Sequence, residues 1–160
     1  MRIEMELGFD RFDELKEKLN YLLESKRIEF DVPLDYVKKY SDDWKTVRIR
    51  KEVLSVRSKS GRTLAEFTED KMISGDLVSP LTKGKEYLFG RIPQDALGGT
   101  LYYLGMKPDG SVDMKDTELF VLKNISRIHF YVRDLGNEIE IARLGITPIN
   151  ILTEEGNIWM

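Results

Sequence analysis

The chain has no cysteine. Disulfides, thiolate nucleophiles and thiolate-held zinc or iron–sulfur centres are therefore excluded. It has one histidine, His129, so no cage of several imidazoles fits in a single chain. Long apolar runs are missing too. The longest stretch without a charge, Ala96 to Met106, has 11 residues, about half of what a membrane-spanning helix needs. The first residues, Met1-Arg2-Ile3-Glu4-Met5-Glu6, carry charges where a signal peptide has an apolar centre. These absences lead to the expectation of a cytoplasmic protein without a membrane segment. Glutamine occurs once, at Gln94, while charges of both signs are dense. Heat-adapted proteins show this balance, so a thermophilic source is expected.

What is present is the composition of a folded domain. Of 160 residues, 41% are hydrophobic and 33% charged, with a net charge of -3. A chain of this length buries roughly 70% of its unfolded surface. No repeat, low-complexity tract or linker interrupts it, so residues 1–160 read as a single domain.

Residues 2–7 alternate, with Ile3, Met5 and Leu7 on one side and Arg2, Glu4 and Glu6 on the other. That is a strand with one buried face. The period then changes. Phe9, Phe12, Leu15, Leu19, Leu22 and Leu23 form one helical stripe, which predicts a helix from about Arg11 to Lys26. Pro33 suits the first position of a second, shorter helix. From residue 45 onward the period is two. Ser60-Gly61 signals a hairpin that sets Leu54 opposite Phe67 and Val56 opposite Ala65. A two-residue turn at Leu135-Gly136 sets Val132 opposite Ile139, Phe130 opposite Ile141 and Arg133 opposite Glu138. The last strand is placed at Ile146–Leu152, at a sheet edge because of Pro148. The expectation is an α+β fold: N-terminal helices, over about 9–43, packed on an antiparallel β-sheet or small β-barrel of about eight strands, over about 45–152.

Charge is distributed unevenly. Residues 45–62 hold seven basic groups and one acid, Glu52, leaving 18 basic and 27 acidic residues elsewhere. Arg48 and Arg50 share a strand face, as do Arg57 and Lys59, with Arg62 beyond them. Guanidinium forks at alternate positions hold phosphate oxygens bidentately. A second stretch, Arg127, His129, Tyr131 and Arg133, alternates with apolar residues and offers cations and rings for bases and phosphates. The first expectation is a small binding module. These nine residues would contact an anionic partner, RNA or an acidic protein surface, with no cofactor.

Two Glu-x-Glu pairs, Glu4/Glu6 and Glu138/Glu140, support an alternative. Carboxylates two apart on a strand lie about 7 Å apart and suit a hydrated Mg²⁺ or Mn²⁺. Converging with Arg48 and Arg50 inside a barrel, they would make a metal-dependent triphosphate phosphohydrolase. On these residues the chain resembles the triphosphate tunnel metalloenzymes, whose barrels are lined by alternating acidic and basic side chains. It departs from them at Gly8, where that family's opening motif continues to a basic residue, and over the Gly-rich stretch 75–110. A third expectation is a homo-oligomer, with Tyr102, Tyr103 and Trp159 at the interface; the apolar terminus, Ile158–Met160, is expected to dock on its own core or on a second subunit.

Overall fold

The structure, a computed structural model, describes residues 3–6, 45–106, 109 and 112–160, with β1 described by its backbone alone. Strand β1 is Ile3–Glu6, β2 Lys45–Arg50, β3 Leu54–Ser58, β4 Thr63–Phe67, β5 Lys71–Ser74 and β6 Leu77–Pro80. They are followed by β7 Glu86–Pro93, β8 Gly98–Met106, β9 Val112–Leu122, β10 Phe130–Asp134, β11 Glu138–Arg143, β12 Ile149–Thr153 and β13 Gly156–Trp159. Their order is β1-β2-β11-β10-β7-β8-β9 in a first sheet and β13-β12-β3-β4-β5-β6 in a second. Every described pairing is antiparallel.

This corrects the α+β expectation. Among the described residues there is no helix, and the strands number thirteen rather than about eight. The helices expected over 11–26 and from Pro33 lie outside the described residues. Nor does a barrel close among the described residues, where each sheet ends in two edge strands: β1 and β9 in the first, β13 and β6 in the second. The physical reason is the break between β2 and β3. The apolar parity that slips at Lys51-Glu52 marks the point where the chain leaves one sheet and enters the other.

Between the sheets lies one apolar core. Val47, Ile49, Tyr87, Phe89, Phe130, Val132, Ile139 and Ile141 come from the first sheet, and Leu54, Val56, Ala65, Phe67, Met72, Ile149 and Ile151 from the second. Phe89 and Phe130, directly opposed on β7 and β10, stack at 4.5 Å between ring centres.

The β3–β4 hairpin pairs Leu54 with Phe67 and Val56 with Ala65 as expected, with a register shift just beyond, between Val56 and Arg57. In the β10–β11 hairpin the faces are as expected, but the register is two residues off. Val132 meets Ile141, Phe130 meets Arg143 and Arg133 meets Glu140. The two-residue turn sits one residue further along, at Gly136-Asn137. The Leu135 N–H bonds the Glu138 carbonyl, and Gly136 takes a φ of 101°. Pro148 lies just outside β12, which is an interior strand flanked by β3 and β13.

Candidate functional site

Because side chains alternate along a strand, the first sheet has a second face, turned away from the core. Register alone assembles a line of charge across it. Glu4 is opposite Arg48, Arg48 opposite Glu140, Glu140 opposite Arg133, and Arg133 opposite Glu86. Five neighbouring strands thus contribute acid, base, acid, base, acid.

Glu140 sits at the centre. Its Oε2 accepts a hydrogen bond from Arg48 Nε at 3.2 Å, and its Oε1 lies 3.4 Å from Arg133 Nη2. The Glu140 side chain is 5% exposed, against 25% for Arg48 and 20% for Arg133. The carboxylate is therefore enclosed while both arginine side chains remain partly exposed. Glu86, at the end of the line, is buried as well. Acidic side chains are almost never this enclosed unless paired, and for Glu140 the two arginines supply the pairing.

Beside the line a cavity of about 280 Å³ is lined by Lys83, Gly84, Glu86, Arg133, Asp134 and Leu135. Asp134 is held by the Gly136 N–H at 2.8 Å and by Lys51 Nζ at 2.7 Å. Lys51 in turn lines a second cleft of about 380 Å³ with Arg50, Glu52, Val53, Glu69, Glu154 and Glu155. Burial, then the charges of Glu154 and Glu155, raise the Glu52 carboxyl above its ordinary pKa.

The basic segment 45–62 does not form one surface. Arg48 and Arg50 belong to the first sheet, while Arg57 is on β3 of the second. Lys59 and Arg62 are exposed at the β3–β4 turn, past the far end of β3 from Arg50. Arg50 is exposed opposite Glu138.

The expected Arg127–Arg133 face also changes character. Tyr131 and His129 are buried, so neither ring is open to a base. The loop 123–129 folds back over β7 and ends at His129. Tyr102 OH donates to the Arg127 carbonyl at 2.7 Å and Arg91 Nε to the Ile125 carbonyl at 2.8 Å. Gly90 makes this possible, since a Cβ there would meet the Arg127 carbonyl oxygen at 1.9 Å. His129 Nδ1 accepts the Ser126 N–H at 3.2 Å, which leaves the neutral ring's proton on Nε2. Burial first, and Arg143 second, lower its pKa to about 3.

Of the residues proposed as metal ligands, Glu140 is engaged by two arginines, and Glu138 is half-buried one position along the same face. Glu4 and Glu6 enter by backbone register alone, opposite Arg48 and Thr46. Among the described residues no three His, Cys, Asp or Glu groups gather as a metal-holding set. Of the expected oligomer contacts, Tyr102 and Tyr103 are buried within the fold, while Trp159 is 57% exposed. Met160 is buried on its own chain, exchanging backbone hydrogen bonds with Ile149. Among the described residues no helix is long and apolar enough to cross a membrane.

Glu86 was missed in the sequence. It precedes Tyr87-Leu88-Phe89 and shares the parity of Leu88, which places it off the core face, but nothing local shows that Arg133 will lie beside it. Family models, curated proteins and solved structures were compared with the chain, and none matches.

Proposed function

We propose that the outer face of the first sheet binds a small phosphate-bearing anion together with a hydrated divalent cation. The observation that carries this reading is the shared carboxylate of Glu140, which contacts two partly exposed arginine side chains in a line of alternating charge. Arginine forks suit phosphate oxygens. In register the line holds three acids and two bases, so a bare polyanion meets as much repulsion as attraction. A phosphate that brings Mg²⁺ or Mn²⁺ resolves the mismatch, because such an ion needs one or two carboxylates and keeps several waters. The dispersal of Arg50, Arg57, Lys59 and Arg62 and the burial of His129 and Tyr131 count against a long RNA or a flat acidic protein surface as the partner.

Isothermal titration with inorganic diphosphate tests the reading. Binding is expected in the presence of Mg²⁺ and at least tenfold weaker without it. Equal binding in both conditions, or none in either, overturns it. Turnover is a second reading, favoured by the backbone alignment of Glu4 with Arg48 on the strand next to Glu140. Release of phosphate from a nucleoside triphosphate with Mg²⁺ or Mn²⁺, abolished in Glu4→Gln, is its expected signature. No release with either ion leaves a binding module.

A further inference from the structure

We infer that the second half of β9 is a dimerisation edge, where two copies of this chain pair as antiparallel strands and join their first sheets. No residue of the charged line takes part, so diphosphate binding neither requires nor excludes it.

A sheet edge offers backbone N–H and C=O groups to any other extended chain, and proteins blunt such edges with charge, proline, bulges or shortness. Among the described residues there are four edges. β1 carries Glu4 and Glu6. β6 ends in Pro80, and β13 has four residues. β9 is the longest described strand, with 11 residues. Its first half is blunted, because Asp113, Lys115 and Asp116 are exposed there. A bulge then interrupts the pairing with β8 between Thr100 and Tyr102. It is fastened by Thr117 Oγ1, which donates to the Leu101 carbonyl at 2.7 Å, and by the Glu118 N–H, which donates to Asp116 Oδ1 at 2.8 Å. Glu118 takes a φ of 62° there.

Beyond the bulge the strand changes character. Val121 is buried in the core, while Phe120 and Leu122 share the opposite face and are 42% and 52% exposed. The Lys123 N–H bonds the Leu97 carbonyl, just ahead of β8. Backbone groups alternate in direction along a strand, so those of Val121 face β8. Phe120 therefore offers both its N–H and its C=O to the outside. Leu122 offers its N–H, since its carbonyl accepts the Ile125 N–H in the following turn.

The edge's own sequence selects the occupant. Glu118-Leu119-Phe120-Val121-Leu122-Lys123 has an acid at one end, a base at the other and apolar residues between. Such a segment is complementary to itself run in the opposite direction. Antiparallel pairing about a two-fold axis through Phe120 or Val121 sets exposed apolar side chains of the two copies side by side. It also brings each Glu118 next to Lys123 of the other copy, and both residues are exposed. The same patch serves both copies, so the contact closes at two. It is short, so the dimer is weak and concentration-dependent.

Sedimentation equilibrium of the full chain over roughly a hundredfold range of concentration tests this. The mass should rise from that of one chain toward that of two, and amide exchange at Phe120 and Leu122 should slow as it does. Leu122→Lys changes an exposed side chain and should weaken association at least about tenfold. Glu118→Lys and Lys123→Glu should each weaken it, and the two combined should restore it. A wild-type monomer at every concentration overturns the inference. So does a dimer that persists in Leu122→Lys, a mass that grows past two chains, or a charge swap that restores nothing. If Leu122→Lys does not fold, the charge swap decides alone.

Discussion

The two faces of the first sheet come from the same strands and are both buried, yet they are made differently. On the inner face Val47, Ile49, Phe89, Phe130, Val132, Ile139 and Ile141 pack against the second sheet. On the outer face, one residue along in each strand, Arg48, Glu140, Arg133 and Glu86 lie side by side with Leu88, Tyr102, Leu104 and Tyr131. The inner face is held by apolar contact, which is non-directional and is not weakened by charge screening. The outer face is held by ion pairs in which each partner's departure strands the other. Burial alone therefore does not separate an apolar core from a layer of ion pairs; the kind of group buried does.

Mutation can break or sharpen this contrast. The largest effect is expected on the inner side. Phe130→Ala removes the ring stacked on Phe89 and should cost about 3–5 kcal/mol in urea unfolding, the same at low and high salt. A salt-dependent loss would mean that the inner face is not the apolar one.

Next comes Glu140→Ala, at about 3 kcal/mol, because two partly enclosed guanidinium groups lose their shared counter-charge. A double-mutant cycle with Arg48→Ala should show coupling of about 1 kcal/mol or more. Additive losses would reduce the line of charge to coincidence.

Acid should produce a somewhat smaller change. The folded pKa of His129 is lowered from 6.5 to about 3, so between those values the unfolded chain binds the proton and the folded one does not. The stabilisation is complete above pH 6.5 and is lost as pH falls toward 3. Comparing pH 7 with pH 4, the melting temperature of wild type should drop about 7–14 °C more than that of His129→Leu. Identical drops would show that the ring is reached by solvent.

The smallest effect is expected at the hairpin tip. Lys59→Gln combined with Arg62→Gln should change stability by less than about 0.5 kcal/mol and leave diphosphate binding within twofold. A large loss of binding there would move the site to the second sheet.

The sequence showed which residues share a face far better than which residues meet. The alternation through Ile128–Val132 and Ile139–Ile141 assigned both faces of the β10–β11 hairpin correctly with a register two residues off, because a shift of two leaves every side chain on its own side. The same shift moved the partner of Arg133 from Glu138 to Glu140, and with it the centre of the site. Hairpin neighbours such as Leu54 and Phe67 were readable because their turn is local. The insertion of β11 beside β2 was not, since no short-range pattern links residue 48 to residue 140. Loop 123–129 folds back onto Gly90 and ends at the buried His129, and nothing around Arg127 announces it. The strand β13 was hidden by a tight turn, Glu154-Glu155-Gly156, where Gly156 has a φ of 127°.

The pairing order has a consequence for how the molecule is made. In the first sheet β2 has β11 between it and β10, and in the second β3 pairs with β12. During synthesis from the N-terminus, the residues of β2 and β3 leave the ribosome about 90 positions before the strands that complete them. Each sheet must therefore wait with an open margin until almost the whole chain has emerged. Nucleation has to bridge that distance, so slow folding and a need for protection of the nascent chain are built into the topology.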